Sequence, residues 1–383
     1  MQFVRAGDHC ALVVSSESND DICRVLVSGI LFTDRLDAEG LAAFSNFRNV
    51  VDEFIAFVDE RSPQASLEDD LCRIGARVVE VQADRFYEPG FAESILGHCR
   101  GDWILKVDHD EELSAEWFDP RWCQLLDSGH THFWSPRRWL TARDTFLAAE
   151  PWWPDWQMRL FRNAPGQMRF PKRLHENPII SGSAGALSTL AIHHHHLRVA
   201  SRRKRETKVT KYEMEQPGGA LAHYYLYEDY QPPELPVPKP VPFDPDRELL
   251  RSDPLGAGEA ARLQIQVGAP PSELPASKFF WIDARVHNGT SRAVGWGMPA
   301  PVHLSYHWLD GHSCQPIVFE GQRTALFPPV SPGSNAACQM LIMTPPIAGQ
   351  FILRVTLVQE GVLWLDGIGS PAVADFIVAI RPG

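Results

Sequence analysis

Two aspartates separated by one residue, Asp108 and Asp110, directly follow a short apolar run at residues 103–107. The run predicts a buried strand, and carboxylates at its end require a cation nearby, because an isolated carboxylate is very costly to remove from water. Two such carboxylates can share one divalent ion through hard oxygen ligands. The alternative is a solvated acidic turn, and a motif this short does not decide between the two.

The segments before this motif predict an α/β sheet. Short apolar strands alternate with segments of helical periodicity, and brief connections favour parallel strands joined by right-handed crossovers. Asp59 follows the second strand and Asp108 the fourth, so both acids are expected at the sheet edge where α/β proteins bind ligands. The predicted strands are residues 23–30, 54–58, 77–81 and 103–107, and the predicted helices are residues 34–51, 66–74 and 89–99.

The length of 383 residues predicts two domains, because single cores rarely grow beyond about 250–300 residues. We place one domain at residues 1–230, a linker at 231–256 and a second domain at 257–383. Seven prolines within residues 231–245 make the linker a semi-rigid extended spacer. Beyond it, short strands separated by turn dipeptides predict an antiparallel β-sandwich. These strands are residues 263–267, 279–287, 302–308, 336–343 and 349–359.

The formal net charge of −12 argues against general nucleic-acid binding, which needs basic surface. The seven cysteines contain no C-x-x-C pair, and no signal peptide or membrane-spanning apolar run is found, so the sequence predicts a cytoplasmic protein with reduced thiols. Seven basic residues and one acid at residues 198–211 indicate an anion contact on a predicted helix at 200–214. Three anions stay open: a nucleotide, an anionic glycan, or the inner membrane surface.

Five segments between residues 22 and 230 carry a family resemblance: FVDE at 57–60, GDWILKVDHDEEL at 101–113, QMRLFRN at 157–163, RLHENP at 173–178 and KVTKYE at 208–213. They resemble the family-two-like bacterial glycosyltransferases of the GT-A fold. The resemblance implies an α/β, GT-A-like nucleotide-diphospho-sugar transferase domain. Two departures from the family's pattern, Glu-Arg-Ser-Pro after Asp59 and Glu93-Ser94 before the aspartates, concern the donor nucleotide more than the fold.

The resemblance also implies a donor site. Asp59 would contact the base or ribose of a UDP- or GDP-sugar. Asp108 and Asp110 would hold Mn²⁺ or Mg²⁺ on its diphosphate. Asp108 also belongs to the predicted nucleotide site, which Arg159 and Lys208 complete.

The reaction centre is predicted after the strand at residues 157–161. A transferase that inverts the anomeric centre needs a base near the acceptor hydroxyl, and a carboxylate within hydrogen-bond reach suits that role. The resemblance gives this role to Glu176, with His175 orienting it or contacting phosphate. The Trp-rich stretch at residues 152–156 is interpreted as a partly exposed acceptor loop, because aromatic faces stack on sugar rings. Ordinary core packing is the alternative for each of these tryptophans.

Four consecutive histidines at residues 193–196 offer further metal ligands, since imidazole is a common one. A strand places alternate side chains on one face. The pair that faces the ion is therefore either His193 and His195 or His194 and His196. The second pair is our working assignment.

Segments within residues 280–365 resemble the immunoglobulin-like modules appended to bacterial polysaccharide-synthesis proteins, which implies glycan binding, docking or oligomer contacts. The sequence as a whole predicts a hexosyltransferase-type enzyme with an all-β immunoglobulin-like second domain. It would move a sugar from a nucleotide-sugar donor to a glycan or lipid-linked acceptor in bacterial surface polysaccharide synthesis. Peripheral membrane contact and homo-oligomers stay open. The alternative is a non-catalytic glycan- or nucleotide-binding protein on a transferase-like fold.

Overall fold

The computed structural model describes residues 26–33, 38–45, 47–59, 65–81, 95–149, 151–169, 178–215, 222–249, 251–252, 254–295 and 298–382. This part of the chain is rich in mixed β-sheet and contains few helices. None of these helices is long and apolar enough to cross a membrane. We call residues 26–249 the first unit and residues 254–382 the second unit.

Thirteen short strands among the described residues of the first unit provide its sheets, and the last of them, β13, belongs to the proline-rich stretch described below. Nine of them form one mixed sheet in the order β3-β2-β1-β4-β8-β6-β12-β5, with β11 paired to β6. The strands are β1 Val27–Thr33, β2 Glu53–Asp59, β3 Arg77–Val81, β4 Trp103–Asp108, β5 Glu111–Leu113, β6 His132–Trp139, β7 Thr145–Leu147, β8 Asp155–Arg162, β9 Met168–Arg169, β10 Ile179–Ile180, β11 Ala184–Ala186 and β12 Ile192–His194.

The first four strands of this sheet, β3, β2, β1 and β4, are parallel. β8 then joins β4 in the antiparallel direction, and β6 joins β8 likewise. Alternate residues of β4 enter two hydrophobic cores, with Leu105 on one face and Ile104 on the other. Burial of both faces explains why these strands read as nearly continuous apolar runs.

The first predicted helix is shorter in the structure, whereas the second, predicted at 66–74, is observed at Ala65–Arg73. The predicted helix at 34–51 is observed as a helix at Ala38–Ser45 and a 3₁₀ turn at Phe47–Asn49. Most of the predicted helix at 89–99 lies outside the described residues. The helices are α1 Ala38–Ser45, α2 Ala65–Arg73, α3 His196–Val199, α4 Arg202–Glu215, α5 Ala222–Tyr225, α6 Pro245–Glu248 and α7 Ala257–Ala260, and the further 3₁₀ helices are Ala115–Phe118, Pro120–Asp127, Tyr227–Asp229 and Leu365–Ile368.

The proline-rich stretch lies along the first unit. Its strand β13, Glu234–Pro236, pairs with β7. At the end of α6, the buried carboxylate of Glu248 accepts backbone N–H bonds from Ser188, Thr189 and Leu190 at 2.8–3.0 Å. These bonds fix the turn that leads into β12, because each one satisfies a buried donor that would otherwise be costly.

Two sheets of the second unit enclose one hydrophobic core. One has the order β15-β17-β22, and the other has the order β16-β25-β23-β19-β20, with β21 and β24 attached. Within these two sheets the pairings are antiparallel except β16 with β25. β14, which precedes the second unit, forms a separate parallel pair with β18. The strands are β14 Arg251–Ser252, β15 Leu263–Val267, β16 Glu273–Pro275, β17 Phe279–Asn288, β18 Met298–Pro299, β19 Val302–Asp310, β20 Pro316–Val318, β21 Thr324–Ala325, β22 Asn335–Met343, β23 Gly349–Gln359, β24 Leu363–Trp364 and β25 Val373–Arg381.

The two units meet along β6, β10 and the loop that follows β21. Ser181 forms a bridge with Thr324, and its hydroxyl donates to the side-chain oxygen of Gln322 at 2.8 Å. Trp134 stacks on Phe327 with ring centroids 4.6 Å apart. The contact is therefore part polar and part aromatic, as interfaces between domains commonly are.

Two buried histidines near this contact, His130 and His132, have lowered pKa values, of about 4 and about 3 respectively. Burial is the main cause, and His303 of the second unit contributes. An unfolded histidine titrates near 6.5. Below that pH the unfolded chain therefore binds more protons than the folded one, and stability falls as the pH drops.

We expect the free energy of unfolding to fall by about 1–2 kcal/mol per buried histidine between pH 7 and pH 5. The interval between pH 5 and pH 7 lies above the usual pKa range of carboxylates, so histidines dominate the change in protonation there. Urea titrations at both pH values measure the effect. In the His130→Gln/His132→Gln variant the free energy of unfolding should change less between the two pH values. In the control variant His312→Gln, at an exposed histidine, it should change as much as in the native protein. An unchanged pH dependence in the double variant contradicts this prediction.

Candidate functional site

β4 ends at Asp108, which lies between two cations. Lys106 donates to one carboxylate oxygen and Arg159 to the other, both at 2.8 Å. Burial raises the pKa of Asp108, but the charges of Lys106 and Arg159 outweigh it and hold the pKa well below its usual range. The Asp108 side chain is still 36% exposed, so an ionised carboxylate faces the sheet edge at neutral pH.

Glu111, the first residue of β5, supports this arrangement from below. Its side chain is fully buried, and Arg159 donates two hydrogen bonds to it at 2.6 and 3.0 Å. Arg137 donates a third at 3.0 Å and also pairs with Asp155 at 2.7 Å. Despite burial, Arg159 and then Arg137 lower the pKa of Glu111. The network is thus a set of mutually neutralising charges, as buried ion pairs require.

Asp110, two residues beyond Asp108, faces histidines instead of guanidinium groups. Its Oδ2 lies 3.4 Å from Nε2 of His194 and 3.1 Å from Nδ1 of His196. Burial raises its pKa, but His194 and His196 hold the pKa well below the usual value. Burial also lowers the pKa of His196 to about 4. At neutral pH the site therefore contains one carboxylate beside two neutral imidazoles, which are good metal ligands.

A change from strand to helix creates this pairing. β12 ends at His194, His195 adopts a helical backbone conformation and α3 begins at His196. The backbone N–H of His195 donates to the carbonyl of Asp110 at 2.8 Å. The side chains of His194 and His196 consequently stack with centroids 5.8 Å apart, nearly parallel.

The other two histidines of the run have different partners. His193 contacts Arg138 at 3.3 Å, and His195 contacts Glu112 at 3.0 Å. The structure therefore groups His194 and His196 around Asp110, and their role as metal ligands stays a prediction. The reason for this grouping differs from the predicted one, because the strand does not continue to His196.

A divalent ion fits this group only in part. Among the described residues, no group of three or more His, Cys, Asp or Glu side chains is arranged so that it could hold a metal ion as it stands. His194 Nε2 and His196 Nδ1 instead contact Asp110 Oδ2 at 3.4 and 3.1 Å. The remaining ring nitrogens, His194 Nδ1 and His196 Nε2, are buried without hydrogen-bond partners. Such an incomplete set suits an ion that also takes substrate phosphate oxygens.

The remaining predicted donor-site residues lie at or near the same edge. Asp59 is the last residue of β2, which flanks β1 on the side opposite β4. Lys208, on α4, has its ammonium 4.7 Å from the ring centroid of Tyr225, and that ring lies against His196. Arg159 contacts Asp108 directly. The predicted base Glu176 and its neighbour His175 lie outside the described residues.

The predicted acceptor loop is split between roles. Trp152 is buried, and its indole N–H donates to the backbone of Tyr224. Asp155 belongs to the charge network, where the indole N–H of Trp139 donates to it at 2.7 Å. Trp156 is half-buried and packs against Phe327 of the second unit.

Four members of the charge network are absent from the predicted site: Lys106, Glu111, Arg137 and Asp155. Lys106 could have been identified from the sequence, because it is the single charged residue inside an otherwise apolar strand. Asp155 could not, since the sequence does not reveal its partner Arg137.

Comparisons with known proteins find no matching family model and no matching curated protein. Among solved structures, residues 1–349 of S. aureus TarS, a glycosyltransferase, are 12% identical, with a TM-score of 0.33, and the match covers 51% of this chain and 74% of that fragment. A Listeria innocua β-glucosidase mutant with laminaribiose is 11% identical (TM-score 0.22, 31% of this chain, 16% of that one). A mycobacterial protein is 20% identical, with a TM-score of 0.24, and the match covers 30% of this chain and 42% of that protein.

This chain therefore spans less than half the length of those last two proteins. TM-scores at this level do not establish a shared fold.

Proposed function

We propose that this protein is a metal-dependent glycosyltransferase with a GT-A-like first domain and an immunoglobulin-like second domain. It moves a sugar from a nucleotide-sugar donor to a glycan or lipid-linked acceptor, with inversion, in surface polysaccharide synthesis. One observation carries the proposal. At the carboxyl edge of the parallel strands, Asp110 faces two neutral imidazoles, and Asp108 is held ionised beside it.

Asp110, His194 and His196 would hold the ion. When bound, the ion would offset the negative charge that develops on the departing diphosphate. Imidazole ligands favour Mn²⁺ over Mg²⁺, because Mg²⁺ prefers oxygen ligands and keeps its waters. Asp108 is already paired on both oxygens, so we assign it to the nucleotide, where its position is fixed by Lys106 and Arg159.

The chain's own residues prepare this site before any substrate arrives. The Glu111–Arg159–Asp108 contacts fix the edge at which the donor binds, and a preorganised site needs no reorganisation during the reaction. Lys208 brings a cation to the same side, where it can contact donor phosphate. We assign proton removal from the acceptor to Glu176, on the resemblance alone.

Thermal unfolding with sugar nucleotides tests the proposal, because a ligand that binds only the native state raises the melting temperature. We expect UDP- or GDP-sugars to raise it by a few degrees with Mn²⁺, less with Mg²⁺ and not at all in EDTA. CDP- and ADP-sugars are the controls for base selectivity. If no nucleotide shifts the melting temperature with either ion, the transferase proposal fails and the non-catalytic alternative gains support.

A further inference from the structure

A large groove lies between the two units, apart from the metal-ligand candidates. Its volume is about 1450 Å³, which exceeds the roughly 300–1000 Å³ of a pocket for a small molecule. The first unit contributes Trp134, Arg169 and Ile180 to its wall. The second unit contributes the outer face of β17 and its neighbours, together with Phe327. A groove of this volume fits an extended polymer of several units better than a single compact ligand.

The second unit's side of the groove carries a row of hydrogen-bonding side chains. Ile282, Ala284 and Val286 face the core, so by strand alternation Asp283 and Arg285 face outwards. Gln266 of β15 lies opposite Arg285 in the register, and Gln339 of β22 lies opposite Asp283. Amide and charged groups in one row suit the hydroxyl groups of a polysaccharide.

Aromatic rings accompany these polar groups. The guanidinium of Arg169 lies 5.9 Å from the ring centroid of Trp281, which is half-buried on the outer face of β17. Trp134 and Phe327 form a stacked pair that lines the groove. Flat apolar faces beside hydrogen-bonding groups are the combination that binds sugar rings.

The groove carries a local positive charge in an acidic protein. Within the part of the chain that the structure describes, its charged lining residues are Arg169, Arg285 and Asp283. Neither arginine forms an ion pair among the described residues, whereas Asp283 already accepts a hydrogen bond from Gln339 at 2.7 Å. Unpaired guanidinium groups provide forked donors for carboxylate or phosphate. The favoured occupant is therefore an acidic glycan.

The groove wall contacts β8, the strand that also carries Asp155 and Arg159 of the charge network. Phe327, on its wall, packs edge-on against Trp156, with centroids 5.5 Å apart. Trp156 directly follows Asp155, which is paired with Arg137 and through it with Glu111. A chain lying in the groove can thus extend one end towards Asp108 and Asp110.

We propose that the groove between the two units binds an extended acidic glycan and presents its end to the site at Asp110 as the acceptor. The acceptor role rests on the proposed transferase function, whereas binding in the groove does not. Sequence and structure thus assign the second unit a part in substrate recognition, with Arg169 and Arg285 contacting the acid groups and Phe327 a sugar ring.

Calorimetry in EDTA without nucleotide tests the binding directly. The probes are a decameric oligogalacturonate, which carries carboxylates, a phosphorylated mannan fragment, which carries phosphates, and the methyl-esterified decamer as the uncharged match. We expect binding of an acidic probe, with the stronger probe identifying the acid group, and at least tenfold weaker binding of the ester. Arg285→Gln and Arg169→Gln should each weaken binding about tenfold, because each removes a charge-assisted hydrogen bond.

Arg262→Gln is the matched control, since Arg262 is an exposed arginine of the second unit outside the groove. The proposal is overturned if neither acidic probe binds, if the ester binds as well as the acid, or if Arg262→Gln weakens binding as much as Arg285→Gln. Metal-dependent donor hydrolysis measured separately distinguishes the two proposals. Donor hydrolysis without glycan binding would contradict only the proposal of an acceptor site in the groove. Glycan binding without donor hydrolysis would contradict the proposed transferase function.

Discussion

Asp110→Asn is expected to abolish manganese-dependent hydrolysis and transfer of a sugar nucleotide while the protein remains folded. The substitution keeps the shape of the side chain but removes the charge that faces His194 and His196. A metal at a developing negative charge contributes several kcal/mol to transition-state stabilisation. Since each 1.36 kcal/mol is a factor of ten in rate, turnover should fall by about a thousandfold or more.

Two measurements separate this effect from misfolding. The first is turnover in Mn²⁺, and the second is the Mn²⁺-induced rise in melting temperature, which Asp110→Asn should lose. Glu112→Gln is the matched control, because Glu112 is two residues away but pairs with His195 instead. Activity of Asp110→Asn within tenfold of the native enzyme, or an equal loss in Glu112→Gln, would show that Asp110 does not hold the ion.

The sequence predicted best those parts of the fold in which local pattern and burial agree. Residues 77–81 and 263–267 coincide with β3 and β15, because a run of apolar or alternating residues bounded by turns leaves little choice. β25 was not predicted, although it lies between β16 and β23. Its apolar residues are consecutive, yet only Val378 and Ile380 are buried, and Ile377 is 71% exposed. The pattern therefore lacks the alternation by which such strands are recognised.

The candidate site shows a similar division. Asp108 and Asp110 could be found from the sequence, because acids at the end of an apolar strand are unusual and costly. Arg159 was predicted, but its pairing with Glu111 was not, since the two are 48 positions apart and only the sheet order β8-β6-β12-β5 brings them together. The histidine run shows the limit of periodicity. Alternation was assumed to continue to residue 196, but the chain turns at His195, and a tertiary contact decides where the side chains meet.

Arg159→Met is expected to destabilise the protein by about 3–5 kcal/mol, because removing one partner of a buried ion pair leaves an uncompensated charge. Glu111 is fully buried and would lose two of its three guanidinium hydrogen bonds. Urea denaturation measures the change in the free energy of unfolding. Arg354→Met is the surface control, since its pair with Asp375 is partly exposed and should contribute at most about 1 kcal/mol.

The double variant Glu111→Met/Arg159→Met decides whether the loss comes from the unpaired charge. Replacing both members of a buried pair by apolar side chains is often nearly neutral, and here Arg137 keeps Asp155 while Asp108 keeps Lys106. The double variant should therefore recover most of the stability lost by Arg159→Met.

The pH dependence of the free energy of unfolding gives a second check. The lowered pKa of Glu111 stabilises the native protein above its ordinary value of 4.5, and this contribution is lost as the pH falls through the folded value. The difference in the free energy of unfolding between the native protein and Arg159→Met should consequently become smaller as the pH is lowered. A difference that stays constant, or a double variant no more stable than the single one, would mean that Arg159 stabilises the fold by packing and not by charge.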